Sequence, residues 1–418
     1  MKLFTASLVA LVVFLVPNVL FAQENEGGEK DAAYLNLRYS HNFSHSKFLD
    51  RDNIAELAMA PISLVNEVVS EEFGDSSLTI KLSLAVAAVI IEGPILKVAH
   101  EYGHFSAHSK GEFYDYAFEK DPISFRKRSL SYIVPRVYAD SLGLGLVDDY
   151  YANNDWDKIS AELKGRPDAY QRFWAAQYAS GLNEEEVIRT RLAKRITDGQ
   201  FFSLDTVPYF LTALSTITYN ENDLDEYVSA LEKRGISTSE NQIRAISALR
   251  LLSGSSIAAA KIGYGWLSGN SVATDISSVD MKTSVGTFKM YWPEVETYLS
   301  EEGPTVKVVV PIIPEFSGME MRVSYEQALQ ATKEGGLEIR QKLTSFLTAS
   351  VASFKNSDDG TWCEGGMAVR PIKWLELGLT AYRADGYTLH RDLYGATYSF
   401  NKDRESGVKA TVGLSLAF

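Results

Sequence analysis

Residues 95–108 read ILKVAHEYGHFSAH and hold three of the chain's six histidines. His100 and His104 are four residues apart, so on an α-helix their rings leave one face a turn from each other. Two neutral imidazoles at that spacing suit a single Zn2+. Glu101 follows His100 and is placed to act as general base. It would take a proton from a water polarised by the ion as that water attacks an amide carbonyl, then hand the proton to the leaving nitrogen. The apolar lead-in of Ile95, Leu96, Val98 and Ala99 carries the motif into a core, and Gly103 lets a second segment come close. The plainer alternative is a surface helix whose polar residues happen to fit.

A catalytic zinc site takes three protein donors, and the sequence leaves the third open. His108 lies about 12 Å along the helix axis from His100, too far to share an ion unless the helix ends first. Glu185 ranks first. It sits in the run Glu184, Glu185, Glu186 behind Gly181-Leu182-Asn183, which reads as a sharp entry into a new helix. Acids in a first helical turn are also ordinary dipole chemistry. Asp140 ranks second, against a helix-surface role, and Asp198 third. His41 and His45 accompany an early strand, where a four-residue spacing does not converge on a metal, and His390 falls in a predicted hairpin.

The HEYGH segment resembles the HExxH helix of the zincin metallopeptidases. That resemblance implies bound zinc, a peptide or protein substrate, and Glu101 as the catalytic base between ligands His100 and His104. The metzincin branch places its third histidine at a longer spacing than His108 offers. The gluzincin branch takes a glutamate from a later helix, yet in the run VYADSLGL at 137–144 the ligand glutamate is missing. Gly181-Leu182-Asn183-Glu184 vaguely resembles site-2-type membrane metallopeptidases, with Thr197-Asp198-Gly199 as the counterpart of their Asp-Gly ligand motif.

The elements around the motif fall into two blocks and predict an α+β protein. Residues 53–270 carry helical periodicity, with candidate helices at 54–69, 78–108, 168–179, 184–197, 204–218, 224–234 and 239–252. Ser239 and the Asn183/Glu186 pair fit helix starts, and Gly235 fits a helix end. The apolar stretch 82–91, interrupted by Glu92-Gly93-Pro94, reads as a kinked core helix rather than a membrane span. Residues 109–167 mix Gly, Pro, aromatics and charges and suggest a long excursion beside the motif.

Residues 283–418 alternate apolar and polar side chains in roughly eight possible strands, close to the count of the smallest membrane barrels. Val408, Ala410, Val412, Leu414, Leu416 and Phe418 form the clearest set. Its terminal phenylalanine resembles the closing strand of outer-membrane β-barrels. A soluble antiparallel sheet with one buried face is the equal alternative. The early segment 33–43 also alternates, and is expected to pair with the C-terminal strands, making the helical block an insertion.

Residues 1–22 read as a secretory signal, with Lys2, an apolar run at 8–16 and a cleavage point after Ala22, followed by a polar segment at 23–52 that carries the one early strand. Export to the periplasm or outer membrane is the expected destination. The single cysteine, Cys363, excludes an internal disulfide, and a net charge of -13 argues against nucleic acid. Two functions compete: an exported zinc-dependent metallopeptidase, and a non-enzymatic envelope protein built on a barrel or scaffold.

Overall fold

The computed structural model describes residues 34–42, 51–108, 167–197, 200–218, 222–269, 276–315, 319–328, 332–372, 374–386 and 405–417. The chain is α+β: a helical block followed by a large antiparallel sheet. The excursion at 109–166, the signal segment, Asp140, His45 and His390 lie outside the described residues.

Strand β1 (Tyr34–Asn42) leads into helices α1 (Arg51–Glu72) and α2 (Leu78–His108). Then come α3 (Pro167–Thr197), α4 (Thr206–Thr218), α5 (Asn222–Glu232), α6 (Glu240–Ala248) and α7 (Gly254–Ser268). The sheet continues with β2 (Ser278–Thr283), β3 (Gly286–Tyr291), β4 (Glu294–Ser300), β5 (Gly303–Pro314), β6 (Met319–Ala328) and β7 (Lys333–Lys342). It ends with β8 (Leu347–Asn356), β9 (Thr361–Ile372), β10 (Leu375–Asp385) and β11 (Glu405–Ala417).

The strands form one antiparallel meander in the order β1-β11-β10-β9-β8-β7-β6-β5-β3-β2, with β4 also paired to β5. The expected pairing of the early strand is present: Tyr34 faces Ala417 and Asn42 faces Lys409. The helices are therefore inserted between the first strand and the rest of the sheet. Among the described residues no pairing joins β1 to β2, so the sheet is open. Leu343 sits in the β7–β8 turn, where its N–H donates to the Leu347 carbonyl.

One helix replaces the two expected between 168 and 197. Gly181 costs about 1 kcal/mol in a helix interior, but α3 runs through it because both of its faces are used. Glu184 and Glu186 are fully buried rather than solvated first-turn acids. On one face, Asn183, Glu186 and Arg189 recur every three residues and bind the backbone of β4. Asn183 donates to the Leu299 carbonyl and accepts from its N–H, both at 2.8 Å. Glu186 accepts from the Thr297 N–H at 3.0 Å, and Arg189 donates to the Val295 carbonyl at 2.9 Å. Their partners are alternate residues along the strand, so a helix repeat matches a strand repeat. These bonds satisfy an edge that would otherwise present unpaired groups. Glu186 is neutralised by Arg189 at 2.7 Å and Arg250 at 3.2 Å, which lets the charges stay buried.

The core of the helical block joins Met59, Ile62, Leu96, Ala99, Ile188, Leu192 and Tyr209 across α1 to α4. Of the lead-in to the histidine motif, Leu96 and Ala99 are buried and Ile95 and Val98 half-buried. The N-terminal half of α2 is not: Leu82, Val86 and Ile90 are exposed among the described residues. Residues Leu78–Glu101 are long and apolar enough to cross a membrane, because the helix continues through Pro94 instead of breaking.

Candidate metal centre

The second face of α3 carries Gln177, Gly181 and Glu185 at four-residue intervals, and this stripe lies against His100 and His104 of α2. His100 Nδ1 is 3.0 Å from Glu185 Oε1, and His104 Nδ1 is 2.8 Å from the Gln177 carbonyl oxygen. Both neighbours are acceptors, so each Nδ1 carries the hydrogen. Each neutral ring then presents a lone pair at Nε2. This is the outer contact that fixes a metal-binding histidine in one tautomer and orientation.

The two Nε2 atoms lie 3.2 Å apart. Asp223, in the first turn of α5, brings Oδ2 to 3.3 Å from His100 Nε2 and 3.1 Å from His104 Nε2. Ligands about 2.0–2.1 Å from a tetrahedral zinc stand about 3.3 Å from one another, so the three atoms already form the required triangle. Both histidines are buried. Lone pairs converging on one point repel unless a positive charge lies among them.

The electrostatics favour positive charge between these groups, whether a proton or a metal ion. Burial opposes charge on His104, yet the adjacent Asp223 carboxylate outweighs it and raises the imidazole pKa. Burial would raise Asp223, but His104 and His100 hold its carboxyl well below the usual range. The donor set, two imidazoles and one carboxylate, could hold a divalent metal ion.

Glycines make the convergence possible. A Cβ on Gly181 would stand 2.5 Å from His100 Nε2 and 2.6 Å from His104 Nε2. A Cβ on Gly103 would stand 2.5 Å from the Ser180 carbonyl oxygen, so the close approach expected at Gly103 is that of α3. Gly181→Ala should therefore retain the helix, alanine being the better helix former by about 1 kcal/mol, and abolish any metal binding at the two rings. Helicity by circular dichroism and metal content by mass spectrometry check the two halves. A fully metal-loaded variant would remove Gly181 from the site.

Glu101 is buried beside His100, with its Oε1 3.4 Å from Lys97 Nζ, and its charge acts on His104. Glu185, the first-ranked third ligand, is brought to the histidines but on the Nδ1 side, behind the ring that it orients. It is not one of the three donor atoms that converge. Asp140 and Asp198 lie outside the described residues. Asp223 had no local signal: it stands at the head of a predicted helix, where an acid is ordinary, and lies far along the sequence from the motif.

The fold and site thus define an α+β protein with a group of two buried histidines and one half-buried aspartate that could hold a metal ion. No known family model matches this chain, and no curated protein matches it.

Proposed function

We propose that this protein is an exported zinc-dependent metallopeptidase, held at the periplasmic or outer-membrane side of the cell, that hydrolyses peptide bonds in peptide or protein substrates. The observation that supports this most is the meeting of His100 Nε2, His104 Nε2 and Asp223 Oδ2 at 3.1 to 3.3 Å with both Nδ1 atoms already engaged. His100, His104 and Asp223 would hold the ion, while Glu185 and the Gln177 carbonyl fix the two rings. When bound, zinc supplies Lewis acidity that lowers the pKa of water and polarises the scissile carbonyl. Glu101 accepts the proton from the attacking water and delivers it to the departing amine, so the C–N bond breaks with no charge left on the leaving nitrogen. Burial of the histidines keeps bulk water from their lone pairs and strengthens each polar contact.

The test is metal content and cleavage together. Purified full-length chain should carry about one zinc per molecule, the stoichiometry of a three-ligand catalytic site. It should cut unfolded casein, lose that activity to 1,10-phenanthroline and regain it with added zinc. Chain that binds no zinc at micromolar free metal would end the metallopeptidase reading. The exposed apolar sheet described below would then favour the non-enzymatic envelope protein.

A further inference from the structure

We infer that the outward face of the sheet is embedded in the acyl chains of a lipid bilayer. Independently of the metal centre, the sheet inverts the polarity that water imposes. In β10, Leu377 and Leu379 are exposed while Tyr382 is buried; in β11, Val412 is exposed and Thr411 is buried. In β6, Val323 and Tyr325 are exposed while Ser324 and Glu326 are buried. The inner face carries a buried, paired charge cluster: Lys307 lies 3.6 Å from Glu296 and 3.5 Å from Glu326. Nearer the other end the exposed Arg370 meets the half-buried Glu376 at 2.8 Å. A soluble sheet buries its aliphatic side chains and exposes its charges. Here exposed aliphatic side chains run across six adjacent strands, β6 to β11, and exposed apolar patches of that extent mark interaction surfaces.

The shape of the apolar band selects lipid over a protein partner. One hydrogen-bonded row crosses the sheet through Val408, Ala381, Gly365, Val351, Ile339, Met321 and Ile312. On β11 this row is the upper limit of the outward apolar run Leu414, Val412, Ala410 and Val408. On β10 it is likewise the upper limit of Leu375, Leu377, Leu379 and Ala381. On β5 the same row is the lower limit, and the run climbs from Ile312 through Val310 and Val308 to Val306.

The band therefore rises by six residues over six strand-to-strand steps. At about 3.3 Å per residue and 4.8 Å between strands, that slope is roughly 35°. Strands in membrane barrels tilt by about 35–45°. With the strands so tilted, the slanted band becomes level, as a slab of uniform depth requires. A folded partner or a second copy of this chain would require a patch, not a level.

The rims agree with this assignment. Phe346 and Trp374 are exposed at the turns below the band, and Lys355 and Arg383 are exposed above it. Aromatic side chains prefer the lipid–water interface, and charged ones lie beyond it.

The experiment uses full-length chain in the Cys363→Ser background, reconstituted into vesicles of phosphatidylethanolamine and phosphatidylglycerol. Single cysteines replace Leu379, Val351, Val323, Lys355 and Arg383 in turn and carry a fluorescent label. Labels at 379, 351 and 323 should be quenched severalfold more by nitroxide on the acyl chains than by aqueous iodide. Labels at 355 and 383 should show the opposite order. Positions 323 and 383 lie in the same sheet row, through Leu337, Ser353 and Cys363, so their difference reads the slant itself.

The unsubstituted chain gives an answer free of folding defects: it should float with the vesicles and resist extraction by high salt and alkaline carbonate. Equal iodide quenching at 379 and 355 would overturn the proposal. So would recovery of the unsubstituted chain as a soluble species without lipid, whether monomer or dimer.

Discussion

Glu101→Gln should lower the rate of peptide hydrolysis by about 10²- to 10⁴-fold, the range that a positioned general base contributes, while zinc content stays unchanged. The amide keeps the size and burial of the carboxylate but takes up no proton at neutral pH. The two histidine rings and Asp223 hold the proposed site without Glu101, which is absent from the three converging atoms. The loss should fall on kcat, because proton transfer belongs to the transition state rather than to substrate binding. Steady-state kinetics on a fluorogenic peptide, with zinc measured on the same sample, decides it. A variant with undiminished kcat would show that another group moves the proton.

The second large effect separates Asp223 from Glu185, two carboxylates at one pair of rings. Asp223→Ala removes an oxygen that stands 3.1 and 3.3 Å from the two Nε2 atoms. The ion would keep only two protein donors, and affinity should fall by more than about 100-fold. Glu185→Ala removes the acceptor for His100 Nδ1 and leaves the donor triangle in place. Loss of such an orienting contact costs about 10- to 100-fold in affinity. Competition against a chelator of known affinity orders the two variants. If Glu185→Ala proved the more damaging, the carboxylate assignments would have to be exchanged.

The two halves of the molecule communicate through α3. Its Gln177–Gly181–Glu185 stripe sets the tautomers and spacing of the histidines, and its Asn183–Glu186–Arg189 stripe holds the edge of β4. A helix that binds the sheet on one side and the candidate metal centre on the other places both on one rigid element. With the sheet in lipid, the donor triangle would be held at a fixed distance from the bilayer.

Sequence by itself determined the local features. Four-residue spacing put His100 and His104 on one helical face, period two marked β10 and β11, and alternation in 33–43 was enough to send β1 to the C-terminal strands. These are consequences of backbone repeat and side-chain chemistry within one element. What alternation left undecided was which face of the sheet meets its surroundings, since Leu379 and Thr380 alternate equally well in either case. Only the tertiary structure decided that, by turning Lys307 and Glu326 inward to pair.

It likewise decided which carboxylate joins the two histidines. Asp223 reaches the histidines because α5 packs on α3, and no spacing within one segment encodes a meeting of separate helices. The Gly181 break expected from propensity disappeared for the same reason. Helix propensity at that position is a matter of about 1 kcal/mol, and packing two buried faces of α3 against α2 and β4 outweighs it.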